Sequence, residues 1–137
     1  MPFQVVKARK DCMVCKRPLF KGERYFRTWD KGKSLCLHCL KDAYECMQNG
    51  TEWVKNSEDY KIIKASTYSC SICNTVNNLR SMKVMYLYSV YTYRRWVTRS
   101  SSVYVCEKCL ADFVNSLTKD EIETSEANRF ERAIINL

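Results

Sequence analysis

Four Cys-x-x-Cys pairs constrain this chain more than any other feature. They are Cys12/Cys15, Cys36/Cys39, Cys70/Cys73 and Cys106/Cys109, arranged as two repeats of pair, insert, pair with inserts of 20 and 32 residues. The second pair of each repeat stands in matching text, "CLHCLKDAYE" and "CEKCLADFVN", in which Cys-x-x-Cys-Leu-x-Asp leads into an amphipathic run. A two-residue spacer lets one tight turn aim two sulfurs at a single ion, and two such pairs complete a tetrahedral thiolate site. The expected cofactors are therefore two structural Zn2+ ions, with all eight paired cysteines as ligands.

Competing uses of the cysteines are disulfides, iron and redox chemistry. Disulfides are disfavoured by the lack of a signal-peptide-length apolar segment in "MPFQVVKARK". Rubredoxin-like iron sites usually follow each knuckle with Gly, whereas Lys16, Leu40, Asn74 and Leu110 stand here. Redox Cys-x-x-Cys motifs occur as one pair in a βαβ setting, not as four in duplicated order. Pairing within each repeat is the simplest assignment, and a cross-brace joining the first pair to the third is the alternative. His38, the single histidine, sits inside its pair and reads as a non-ligand. The ninth cysteine, Cys46, reads as a buried thiol, with a redox sensor as the sharper alternative.

The 137 residues include only three Gly and two Pro, which suits an ordered chain with few flexible linkers. Modules of about 40 to 50 residues bury too little apolar surface to be stable unaided, so metal is expected to supply folding energy. No apolar run approaches the length of a membrane span. The composition thus points to an intracellular protein, cytoplasmic or nuclear, with no membrane partner. The formal charge of +8 is uneven: residues 1–50 carry +6, 51–69 are neutral, 70–115 carry +4 and 116–137 carry −2. Each zinc with four thiolates would lower the total by two, and the remaining positive charge lies on the modules, where it can meet phosphate.

Along the chain, "FQVVKA" reads as a strand with Phe3 and Val5 on one face, and "GERYFRTW" and "SLC" flank the turn residues "DKGK" as a hairpin. Leu40, Tyr44 and Met47 then mark a helix ended by Asn49-Gly50. Knuckle, hairpin and a helix that carries the second ligand pair in its first turn resemble the treble-clef zinc-finger superfamily, over most of residues 10–50. In the second repeat the insert rich in β-branched and aromatic residues reads as an extended hairpin, with strands near 82–90 and 97–105. Its tip would hold Tyr91, Tyr93, Arg94, Arg95 and Trp96; a turn at Arg99–Ser102 is the alternative. Leu110, Phe113, Val114 and Leu117 mark the second helix.

The fold class is therefore a small α+β, zinc-stabilised chain: two tandem treble-clef-like modules of four cysteines each, plus a C-terminal helix. The expected divisions are 1–50 and 70–117 for the modules, 51–69 for a connecting segment, and 118–137 for the helix. Trp53 and the Tyr60/Ile62 alternation make the connecting segment too apolar for a solvated linker. Thr118-x-x-Glu121 forms a capping box, and Ile122, Ala127, Phe130, Ile134 and Leu137 give the last helix an apolar face.

An enzyme is the least supported class, since four thiolates close a zinc coordination sphere. No deaminase signature, Ser-His-Asp set or phosphate-cradling glycine loop is visible, and no small-molecule substrate is implied. Nucleic-acid binding, to DNA or RNA, is expected from basic residues interleaved with aromatics. The first hairpin offers Arg24, Arg27, Trp29, Lys31 and Lys33, and the second offers Tyr91, Tyr93, Arg94, Arg95 and Trp96. Lys and Arg neutralise phosphate while Tyr and Trp stack on bases. About half of those aromatics are expected to be core instead. The alternative is a protein-interaction adaptor that uses the long hairpin for strand addition.

Overall fold

The β-branched and aromatic runs before the third cysteine of each repeat form hairpins, and the amphipathic runs after it form helices. The computed structural model describes residues 3–7, 10–28, 33–64, 68–76 and 78–123. The first half contains β1 (Phe3–Val5), β2 (Lys10–Asp11), β3 (Pro18–Leu19), β4 (Arg24–Arg27), β5 (Ser34–Cys36) and α1 (Leu37–Asn49). The second contains β6 (Tyr60–Ile63), β7 (Ser81–Thr92), β8 (Arg95–Cys106) and α2 (Glu107–Asn115). The described strands form three antiparallel sheets in the orders β1-β4-β5, β2-β3 and β6-β7-β8. This is a small α+β architecture, and no described helix is long and apolar enough to cross a membrane.

β4 and β5 pair as the sequence implies, with Tyr25 opposite Cys36. The expected alternation in β1 holds only in part. Val5, within the strand, is exposed while Val6, just beyond it, is buried, so the buried position falls on the Val6 side rather than the Val5 side. Val6 is held there by donating its N–H to the Glu23 carbonyl and accepting from the N–H of Gly22. α1 buries Leu40, Ala43, Cys46 and Met47, so Cys46 is a core thiol. Gly50 ends the helix at φ 70°, a left-handed conformation that costs Gly nothing.

In the second half the hairpin is longer than expected by one or two residues at each strand end. Its two-residue loop is Tyr93-Arg94, closed by Thr92 opposite Arg95, so the alternative turn at Arg99–Ser102 is ruled out. Eight residues separate Cys15 from β4 and seven separate Cys73 from β7. The longer second insert therefore goes into the hairpin itself.

The connecting segment packs. Its strand β6 joins the β7 side of the sheet, and Trp53 is fully buried against the edge of Tyr60, ring centroids 5.7 Å apart. The Trp53 indole N–H donates to Asp42 of α1 at 3.0 Å, which ties this segment to the first helix. Other contacts join the halves directly. Phe3 stacks on Phe113 of α2 at 4.3 Å, and Arg24 lies over the Phe113 ring at 5.0 Å. The Arg24 guanidinium also bonds the Glu121 carboxylate at 2.9 Å and the Ser116 hydroxyl at 3.2 Å. Arg80 donates to the Met47 carbonyl near the end of α1, where positive charge suits the helix dipole.

Helix begins again at 119–123, with the Thr118 hydroxyl accepting the Glu121 N–H at 3.1 Å. This is the N-cap half of the expected capping box. The remainder of the expected C-terminal helix, with Ala127, Phe130, Ile134 and Leu137, lies outside the described residues.

Phe113 touches both halves, so truncating it should destabilise them together. Phe113→Ala is expected to cost about 3–5 kcal/mol, read as a lower urea midpoint for a single transition. Loss of structure in the second half alone would show that the halves fold independently.

Candidate metal centres and an exposed hairpin arm

Each centre is assembled by the same local rules. After the first pair, Lys16 and Asn74 take left-handed conformations at φ 62° and 57° and donate their N–H groups to the carbonyls of Cys12 and Cys70. The Cys12 and Cys70 N–H groups reach the carbonyls of Arg17 and Thr75, closing the knuckles. The conformation for which many knuckles use Gly is thus present, with Lys and Asn accepting it. Met13 and Ser71, each one residue past the first cysteine, donate to the carbonyls of Ser34 and Tyr104, each two residues before the third. The N–H groups of Cys36 and Cys106 point at the sulfurs of Cys12 and Cys70, both at 3.4 Å. The duplication read in the text is therefore repeated bond for bond in the backbone.

Cys36 and Cys106 are the N-cap residues of α1 and α2, placing Cys39 and Cys109 in the first helical turns. The positive ends of the helix dipoles favour thiolates there. Cys12, Cys15, Cys36 and Cys39 form one group and Cys70, Cys73, Cys106 and Cys109 the other, with all sulfurs of a group within 4.8 Å of one another. The assignment within repeats holds and the cross-brace does not. Sulfurs lie 3.7 Å apart in Cys12–Cys39, Cys15–Cys36 and Cys70–Cys109, and 3.9 Å apart in Cys73–Cys106. A tetrahedron of sulfurs about 2.3 Å from a central ion has edges of about 3.8 Å. The donor sets therefore fit a metal ion each, and every cysteine is a free thiol rather than a disulfide. Half-buried His38 belongs to neither group.

Crowding splits the thiol acidities. Contacts with Cys12, Cys36 and Cys39 drive Cys15 well below its ordinary value. At Cys12 the neighbouring Cys15 acts upward, but hydrogen bonds with Cys36 and Cys39 outweigh it and leave the thiol at about 7. Cys36 and Cys39 are pushed up, chiefly by Cys12 and Cys15. In the second centre burial, then Cys106 and Cys70, raise Cys109. The Thr75 hydroxyl, then its backbone N–H, hold the exposed Cys73 at about 6. Protons thus remain on some sulfurs at neutral pH, and loading a divalent ion must expel them. Lys55 places its ammonium 3.7 Å from the Cys39 sulfur, offsetting part of the thiolate charge.

The basic and aromatic candidates separate into three groups. Arg24 is committed to Glu121, Ser116 and Phe113, and Arg27 is half-buried. Trp29 and Lys31 lie outside the described residues. Lys33 is exposed, and with Lys10, Lys16 and the acidic Asp11 it lines a cavity of about 290 Å³ beside Cys12, where the lysines outnumber the acid three to one. Lys10 and Lys16 were not distinguishable in sequence from other surface lysines. All five residues of the second hairpin lie exposed at its tip, with Tyr91 at 60%, Trp96 at 72% and Tyr93 at 90%. Arg99 is also exposed on β8, further down the arm and opposite Tyr88; its signal was the strand register, which the sequence left open. From 60 to 106 the sequence has seven Lys/Arg and no Asp/Glu.

Comparison with known family models, characterised proteins and solved structures finds no match to this chain.

Two metal ions per chain are expected from elemental analysis of the purified protein; one would contradict the two-centre reading. A chelator should empty the second centre first, because Cys73 is exposed whereas its counterpart Cys15 is half-buried, the other three ligands of each centre being buried alike. Metal should also leave as pH falls. Cys12 and Cys73 lie below the ordinary thiol value of 9.0, so their thiolates favour the fold fully above that value. In the metal-free thiols this contribution is lost as pH falls through about 7 and about 6, and a bound ion moves the loss to lower pH. Retention of both ions at about pH 4, where protons compete with a divalent ion for thiolate, would refute it.

Proposed function

We propose that the chain is a non-catalytic, zinc-stabilised protein that binds nucleic acid, DNA or RNA, through the arm formed by β7 and β8. The observation that carries this reading is the arm tip, where Tyr91, Tyr93 and Trp96 are exposed beside Arg94 and Arg95 in a segment free of acidic residues. Arginine neutralises phosphate and aromatic rings stack on bases. The lysines around the cavity at the first knuckle add a second place for phosphate. Zinc is the ion proposed for both centres, since all-thiolate tetrahedral sites suit it and leave no open position for catalysis. The treble-clef resemblance is part of the same proposal, supported by the order of knuckle, hairpin and ligand-bearing helix in each half.

The conformation of the tip supports a role beyond closing the hairpin. Tyr93 and Arg94 both have positive φ, at 49° and 61°. Two-residue hairpin loops of this kind favour Asn-Gly, and each bulky residue held there costs on the order of 1 kcal/mol. Strain of this sort concentrates at functional positions.

A protein-interaction adaptor is the second reading. One observation favours it: no described strand pairs with the outer edge of β8, which offers backbone groups for strand addition.

Salt dependence separates the two. Arg94→Ala with Arg95→Ala is expected to weaken binding to unrelated sequences alike and make the log-log salt slope less negative by up to about 2. Tyr93→Asn with Arg94→Gly should weaken binding while slowing amide exchange at Val90 and Val97, because the turn relaxes. Failure of the zinc-loaded protein to retard DNA or RNA at about 50 mM salt, where phosphate attraction is strong, would leave the adaptor reading.

A further inference from the structure

The hairpin outruns its sheet. β6 covers β7 only from Ser81 to Val84, whereas pairing of β7 with β8 continues to Thr92 opposite Arg95. The segment from Met85 to Thr92 therefore extends roughly 26 Å as a two-stranded ribbon. Strand alternation gives the ribbon two unlike faces. Leu87, Tyr91 and Trp96 share one face, with Tyr91 directly opposite Trp96; Tyr88, Arg95 and Arg99 share the other, with Tyr88 directly opposite Arg99. The Tyr91 and Trp96 rings meet at 5.4 Å and 60°, edge to face. That contact fixes their orientation without covering both faces of either ring. Nothing among the described residues covers this aromatic face, and a two-stranded ribbon of this kind is marginal in water by itself.

We propose that the aromatic face of the arm takes the unpaired bases of a single-stranded nucleic acid, with Trp96 as the stacking platform. Arg94 and Arg95, at the end of the ribbon, hold the flanking phosphates. This inference rests on the nucleic-acid reading above and adds the strandedness of the ligand. The choice follows from what each ligand exposes. Bases in a duplex cover each other's faces and present only edges in the grooves, to be read by polar side chains. The exposed face here presents flat rings, Leu87 and Met85, with the uncharged Ser89, Thr98, Ser100 and Ser102 as polar neighbours. Unpaired bases offer the complementary flat surface, and stacking on an aromatic side chain tolerates any base. The arginines and the absence of any acid from 60 to 106 favour a polyanion over a second, equally basic copy of the chain.

The test uses the full zinc-loaded chain and fluorescein-labelled 12-nucleotide DNA and RNA, single-stranded or as the matching duplex, in anisotropy titrations at low salt. Single strands are expected to bind at least tenfold more tightly than duplex. Trp96→Ala should weaken single-strand binding about 5- to 150-fold, and Trp96→Phe, which keeps a ring, should recover much of it. Retention of two zinc ions and the parent melting curve checks the fold of each variant. Should Trp96→Ala fail that check, Tyr91→Ala and the intrinsic Trp fluorescence quenching of the parent protein by unlabelled strands carry the test. Equal or tighter duplex binding overturns the inference while leaving the nucleic-acid function standing, as does single-strand binding indifferent to both aromatic residues. No binding to any oligonucleotide overturns both. Self-association in sedimentation that is abolished by Trp96→Ala, with oligonucleotide binding unaffected, assigns the face to a second copy instead.

Discussion

In each half of this chain four sulfurs meet within 4.8 Å of one another, and the rest of the backbone is arranged to allow it. The first pair needs a knuckle tight enough to put a Lys or an Asn into a left-handed conformation. The second pair needs a strand that delivers one cysteine and a helix that begins there and delivers the next. Hydrogen bonds from the third cysteine's N–H to the first cysteine's sulfur lock strand to knuckle. Neutral thiols at this spacing gain little from one another, and thiolates repel; a bound cation removes both difficulties. A frame this dependent on its centres leaves little freedom for variation except in what hangs from it.

The hairpin is where the variation lies. In the first half β4 and β5 stay short, and one of the basic residues available to face outward, Arg24, is turned to structural use against Phe113 and Glu121. In the second half the equivalent hairpin runs to twelve residues per strand. Its base is core, with Met82, Val84, Val103 and Val105 buried. Its outer part exposes the face of Leu87, Ser89, Tyr91 and Trp96, while Tyr88, Val90 and Val97 on the other are half-buried. One duplicated frame thus yields a hairpin that packs and a hairpin that projects.

Contacts between the halves make the projecting arm a fixture of the whole rather than of one small module. Phe3 stacks on Phe113, Trp53 bonds Asp42 while packing on Tyr60, and Arg80 reaches the end of α1. β6, contributed by the connecting segment, braces β7 up to Val84. The arm therefore projects from a three-stranded base, which gives the ribbon a defined direction that an isolated hairpin would lack.

Much of this was legible in the residues. The cysteine spacing determined the four pairs, because two sulfurs on one tight turn can reach only one ion, while the joining of pairs within a repeat rather than across repeats was decided by the fold. The Leu40/Tyr44/Met47 spacing and Gly50 determined α1 and its end, and the β-rich insert determined the long hairpin. Local rules suffice for such features, since the deciding atoms are neighbours in sequence. The alternation of β1 left open which of its faces would be covered, and packing buried Val6 while exposing Val5. The uses of Arg24 and Trp96 were not legible either: both are large side chains on hairpins, identical in kind to core or surface candidates. Tertiary packing separated them. Arg24 meets an aromatic ring and a carboxylate 97 residues away, while Trp96 stands beyond the point where β6 stops. The sequence by itself determined which cysteines share a turn; only the tertiary structure decided which pairs meet at one centre and which aromatic and basic groups were left in solvent, because both depend on what distant parts of the chain bring together.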